Sequence, residues 1–190
     1  MTTEARIGQF MDGLVAAYEL PQRAAQNGFF IEYICLAASI IDGHLRMGLI
    51  FEHQLETCSS ELLEELLLQT DIDPIIPERE IYRRAAQKGV INDGLAVKLA
   101  ELYTKRNRVV HRFLISELTT HEVLQIAAEF EQLLPTVSTA VGDLEARQVQ
   151  LGIGMSRSGE MPGLGRRLGE MSAKKHGNPL LAKLLRDGGS

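Results

Sequence analysis

An all-α protein is the fold class the sequence predicts, and three observations predict it. Apolar residues make up 45% of the 190 positions, enough for a real core. Aromatics are only 5% and Trp is absent, so Leu, Ile, Val and Ala must fill that core. Apolar residues recur at helical spacing, and β-branched residues alternate with polar ones over no long run. The expected architecture is an up-and-down bundle of four to five main helices over residues 1–150. Residues 151–190 form a Gly-rich basic tail.

The elements read in order. Residues 4–20 fit a first helix, with Ile7, Leu14 and Tyr18 on one side, and Pro21 ends it or starts the next segment. Residues 28–56 fit the longest helix. One seam runs Phe30, Ile34, Ala37, Ile41, Leu45, Gly48 and Leu49, and a second runs Leu36, Ile40, Met47 and Ile50. Two apolar faces demand burial twice, by other helices of the chain or by a second protomer. Ser60 is a candidate N-cap for a short helix to about residue 69.

Residues 71–77 read as a loop. Pro77 suits the first position of a helix over 77–88, and Gly89 stops it. Asn92 or Asp93 caps a helix to about residue 113. Thr119-Thr-His-Glu122 is a capping box. The last helix carries Val123, Ala127, Phe130, Leu134, Val137, Val141 and Leu144, a bundle stripe that Pro135 should kink.

From Leu151 the pattern changes. Nine glycines fall in the last forty residues, and 151–177 reads as a linker. Asn178-Pro179 followed by Leu180, Leu181, Leu184 and Leu185 reads as a short capped helix near 178–186, suited to docking on a partner or on its own domain.

Charge divides the same way. Residues 1–150 hold 13 Lys/Arg against 22 Asp/Glu, whereas residues 151–190 hold 7 against 3. An acidic body argues against broad binding of duplex DNA, though not against a local anion site. The basic tail also invites a reading as a tether to RNA or an acidic membrane. Cys35 and Cys58 have no paired spacing, so the expected setting is reducing and cytoplasmic. No signal peptide is apparent. No run of 18 apolar residues occurs, so no membrane span is expected. The histidines lack metal-ligand spacing, and no phosphate-cradling Gly motif or nucleophile elbow is present, so neither metal nor cofactor is expected.

The chemistry concentrates in Lys105-Arg106-Asn107-Arg108-Val109-Val110-His111-Arg112-Phe113. On a helical wheel Leu95, Leu99, Leu102, Val109, Val110 and Phe113 share a face, and Arg106 falls near its middle. Lys105, Arg108 and Arg112 fall opposite. A sequestered arginine needs a carboxylate, carbonyls, water or an anionic ligand. Asp42 is one conceivable partner, although Asp42 and Arg46 also suit a local i,i+4 pair. His111 lies about 140° around an ideal helix from Arg106, so one straight helix does not bring both to one atom. A two-fold axis would. Arginine with histidine suits phosphoryl transfer within RNA: histidine moves the proton and arginine stabilises the phosphorane charge. The competing reading is a structural arginine and a surface histidine.

Arg106-Asn107-x-x-x-His111 resembles the R-N-x-x-x-H form of the R-x(4–6)-H motif of HEPN domains. The lead-in is similar as well: a helix ending near Ala85-Ala86-Gln87-Lys88-Gly89, a loop, then Leu95, Leu99, Leu102-Tyr103 and Arg106-Asn107. Ser39-Ile-Ile-Asp42 on the long helix also fits, and the resemblance covers about residues 5–148. It implies a helical bundle, commonly a homodimer. It also implies metal-independent endoribonuclease activity of the toxin–antitoxin or antiviral-defence kind, with Arg106 and His111 catalytic and Asn107 orienting them. Other HEPN proteins are non-catalytic interaction modules that bind a protein partner. Arg108 and Arg112 are candidate RNA-binding residues. The HepT-like branch carries a tyrosine two residues after the histidine, which a cognate antitoxin modifies. Phe113 stands there and has no hydroxyl to modify, so any antitoxin would act otherwise.

Overall fold

A 28-residue helix forms the axis on which the other helices pack. The computed structural model describes residues 3–67 and 73–156. They form six α-helices: α1 Thr3–Ala17, α2 Glu19–Gln26, α3 Phe30–Thr57, α4 Glu78–Gln87, α5 Asp93–Arg112 and α6 Thr120–Leu151. Short 3₁₀ turns occupy Glu64–Leu66 and Phe113–Ile115. No strand occurs among the described residues, and the all-α class holds.

Both seams of α3 are covered from within the chain. Ile34, Ala37, Ile41 and Leu45 on one seam, and Ile40 and Ile50 on the other, are fully buried. The helices α1, α2, α4, α5 and α6 all contact α3. Its length and composition are those of a helix able to cross a membrane, despite the lack of an unbroken apolar run. In the fold 78% of its apolar window is buried inside the protein, as in a core helix. Gly48 marks the closest approach: a Cβ there would meet Val90 Cγ1 at 2.6 Å and Val141 Cγ2 at 3.0 Å. The α6 stripe faces α3, with Val123, Ala127, Phe130, Val137, Val141 and Leu144 buried.

Local signals set most boundaries. The side chain of Asn92 accepts from Leu95 N at 2.8 Å and starts α5. Thr119 Oγ1 accepts from Glu122 N at 3.2 Å, and Glu122 Oε2 accepts from Thr119 N at 2.7 Å, completing the capping box. Gly89 ends α4 at φ +71°, a conformation glycine takes without steric cost.

Three expectations need correction. The first helix stops at Ala17, and α2 is a separate helix with Pro21 in its first turn, where the missing N–H costs nothing. Over the described residues 60–67 the helix expected from Ser60 does not form: only Glu64–Leu66 turns there, and Ser59 rather than Ser60 bonds the Glu61 N–H, at 3.1 Å. Leu66 and Leu67 are buried there, so packing decides the backbone of a segment too short to hold a helix alone.

The linker expected from residue 151 begins later. Gly152 closes α6 in the left-handed region, and residues 153–156 fold back on the bundle. Met155 N donates to Gln54 Oε1 at 3.1 Å, and Ser156 N donates to Gln148 Oε1 at 3.2 Å. The helix expected near 178–186 and the rest of the tail lie outside the described residues.

Candidate functional site

Arg106 is placed by α5 and neutralised by α4. Glu78 opens α4, where the helix dipole favours a carboxylate. Its Oε1 accepts from Arg106 Nη2, and the pair is largely sequestered, at 17% exposure for Arg106 and 25% for Glu78. The guanidinium also stacks 5.0 Å over the Tyr103 ring, one turn back on α5. Arg79 covers the same ring at 4.8 Å and donates to Thr104 Oγ1 at 2.7 Å. Tyr82 donates its hydroxyl to Glu78 Oε2 at 3.4 Å. Burial, with Glu78 and Asp42 nearby, drives the Tyr82 pKa far above its usual range, so this hydroxyl stays a donor.

Asp42 takes the local alternative. Its Oδ2 accepts from Arg46 Nε at 2.7 Å, and Arg46 Nη2 donates to the Ile76 carbonyl at 3.1 Å. The Asp42 pKa is raised by burial, against the opposing charge of Arg46. Two buried polar atoms in this region have no hydrogen-bond partner among the described residues, Asp42 Oδ1 and Arg106 Nε. The Glu78 and Arg106 charges also act on Asp42, so the two ion pairs sit close enough to feel one another between α3, the Ile76 loop, α4 and α5.

The other motif residues point elsewhere. Lys105 pairs with Glu129 of α6, at 2.5 Å. Asn107 is half-buried. Arg108, His111 and Arg112 are exposed. No hydrogen bond or ion pair among the described residues holds His111. α5 is regular through Arg112, so it contains no irregularity that would swing His111 towards Arg106. The structure thus brings Arg106 together with Glu78, Tyr103 and Tyr82, and not with His111. Val110 departs from the apolar face expected of it and is 40% exposed. Phe113 leaves α5 for the 3₁₀ turn and packs at the core edge.

The sequence reading gives Glu78 no role, and Tyr103 enters it only within the Leu102-Tyr103 lead-in to the motif. The signals were present: Tyr103 stands three residues before Arg106, and Glu78 follows a proline at a helix start. Neither names its partner without the tertiary fold. Chemically, the cluster can hold a guanidinium at fixed orientation, and the imidazole of His111 is open to a docked molecule. Among the described residues, no three His, Cys, Asp or Glu side chains converge as a metal ion would require.

These features define an all-α bundle with a partly sequestered ionic cluster and, apart from it on the same helix, an exposed histidine. No family model, curated protein or solved structure matches the chain.

Proposed function

We propose that the chain is a metal-independent endoribonuclease of the HEPN kind, with an active site completed by two copies, acting in a toxin–antitoxin or antiviral-defence system. The observation that carries this reading is the placement of the motif on one regular helix. Arg106 is oriented by Glu78 and Tyr103, and His111 is exposed between Arg108 and Arg112. Within a homodimer, one protomer's arginine would face the other's histidine across a single phosphate. The histidine would take the proton of the RNA 2′-hydroxyl as its oxygen attacks phosphorus. The 5′-oxygen would leave and take a proton from solvent water, giving a 2′,3′-cyclic phosphate. Arg106 would stabilise the charge of the phosphorane. Asn107 would position the pair, and Arg108 and Arg112 would hold the RNA backbone.

The test is cleavage of single-stranded RNA by the full chain in the presence of a chelator. Arg106→Ala and His111→Ala should each abolish cyclic-phosphate product while the helical circular dichroism persists. Equal cleavage by the wild type and both variants would overturn the reading.

The Glu78 contact favours a second reading. An arginine already neutralised inside its own chain suits a non-catalytic interaction module, in which the cluster only aligns helices and a protein partner binds elsewhere. That reading expects no cleavage by any form and loss of partner capture when residues 157–190 are removed.

A further inference from the structure

A cleft of about 350 Å³ lies between α1 and α3, and neither Arg106 nor His111 takes part in it. Phe10 and Leu14 of α1, with Leu67, line it with apolar surface, and Ser39, Asp42 and Arg46 of α3 line it with polar groups. Its volume falls at the small end of the range that ligand clefts occupy.

The polar side of the cleft is charged in both signs, and neither charge is fully used. Asp42 and Arg46 form their ion pair with side chains only 18% and 9% exposed. Arg46 uses Nε on Asp42 Oδ2 and Nη2 on the Ile76 carbonyl, and no hydrogen bond among the described residues uses its Nη1. A guanidinium offers more N–H donors, and a carboxylate more acceptor sites, than these bonds take up. Ser39 donates its hydroxyl to the Cys35 carbonyl at 3.0 Å and keeps its oxygen as an acceptor. Charged groups withdrawn from water with part of their bonding capacity unmet are costly, and a ligand that completes them offsets that cost.

The helix α1 covers the cleft as a strap. It crosses α3 at Gly43, where a Cβ would meet Leu14 Cδ1 at 2.9 Å. Arg6 ties its start to Asp73 at 3.6 Å, and Tyr18, just past its end, bonds His44. None of the described side chains of α1 is fully buried. A helix held at its ends and half-buried between them can admit a small molecule without unpacking the α3 core.

We propose that this cleft binds a free apolar amino acid, its ammonium on Asp42, its carboxylate on Arg46 and its side chain against Phe10, Leu14 and Leu67. The paired charges select the class. A fatty acid would set its carboxylate beside Asp42, and a simple amine would set its ammonium beside Arg46. A zwitterion meets one opposite charge with each of its own, and charge-assisted bonds of this kind are the strong ones. The apolar lining favours a side chain of the leucine kind over a polar one. The inference stands whether or not the chain cleaves RNA.

The test is calorimetric titration of the full chain with leucine, with isocaproate, which lacks the ammonium, and with isoamylamine, which lacks the carboxylate. Leucine should bind one to one, and each analogue should bind about tenfold more weakly. Methyl resonances of Leu14 and Leu67 should shift with the same saturation. Asp42→Asn leaves Arg46 Nε an oxygen to bond and should reverse the order, isocaproate binding more tightly than leucine, because the ligand carboxylate no longer meets a like charge. A purely structural Asp42 would not reverse it, and an order unchanged by Asp42→Asn would overturn the proposal. Equal binding of isocaproate and leucine by the unaltered chain would make the cleft a general acid site and overturn it too. So would the absence of saturable heat and methyl shifts with leucine up to tens of millimolar.

Discussion

Gln148 and Gln54 lie 94 positions apart in the chain and bond to each other inside it, Nε2 of Gln148 donating to Oε1 of Gln54 over 2.9 Å. Both are fully buried. Gln148 also donates to the Phe51 carbonyl at 3.1 Å, and Gln54 donates to the Glu61 carbonyl at 3.0 Å. With the Met155 and Ser156 amides added, two side-chain amides fasten α3, α6, the 58–63 loop and the terminal turn at one end of the bundle. Gln148→Ala leaves a cavity and an orphaned Ser156 amide. It should lower stability by about 2–4 kcal/mol, measured by urea unfolding. Unchanged stability would mean that the clasp is replaced by water at little cost.

Gly48 offers a steric test of the helix approach. Gly48→Ala puts a methyl 2.6 Å from Val90 Cγ1, and valine has little rotamer freedom to yield. The expected loss is about 1–3 kcal/mol despite alanine's better helix propensity, read as a lowered melting temperature. A gain would show that α3 and the Val90 turn stand further apart in solution.

His44 predicts a pH dependence. It is buried, its Nδ1 donates to the Ile40 carbonyl at 2.9 Å, and its Nε2 accepts from the Tyr18 hydroxyl. Burial lowers its pKa against the opposing effect of the Ile40 carbonyl. The unfolded state then binds the proton more readily than the folded state. The His44 contribution is whole above the ordinary histidine range and is lost as pH falls through and below it. The urea midpoint should therefore drop more between pH 7.5 and pH 5 in the wild type than in His44→Gln. Parallel profiles would remove His44 from the account.

Glu78 and Asp42 should behave differently, although both face arginine. Glu78→Ala strands a partly buried guanidinium and should cost about 1–3 kcal/mol, the exposed share of the pair being screened. Asp42→Asn keeps an oxygen for Arg46 Nε and removes a carboxylate whose ionisation burial disfavours, so stability at pH 7 should change by less than about 1 kcal/mol. The raised Asp42 pKa means the folded state holds that proton longer, so its ionisation costs stability as pH rises from the ordinary aspartate value through the folded one. Asp42→Asn should lose that slope. Equal costs for both substitutions would place the two carboxylates in equivalent surroundings.

What the sequence revealed follows from which forces are local. The α3 seams, the α6 stripe, the Thr119 box and, to within one residue, the Asn92 cap depend on neighbours within a few turns and are legible in the sequence. The turn at Glu64–Leu66, the return of residues 153–156 and the separate α2 depend on what the chain meets at long range. Leu62 to Leu67 carries no information that it will lie flat against α3. At the site, the wheel identified Arg106 as the residue in need of a partner, but named Asp42 alongside other options. Glu78 takes that place because Arg46, holding Asp42 and the Ile76 carbonyl together, fixes the chain two residues before α4 begins.

Lys105 and Arg106 are neighbours in sequence but anchor to opposite sides, to Glu129 on α6 and Glu78 on α4. Two such stays resist turning of α5 about its own axis, as opposed ropes hold a mast. The separation of the motif's working groups then becomes a fixed length. A 140° turn on a helix with side chains about 11 Å across, with five residues of rise, sets them about 13 Å apart. No single phosphate bridges that distance. Whatever engages Arg106 and His111 together must either be longer than one nucleotide linkage or be brought to each group by a different chain.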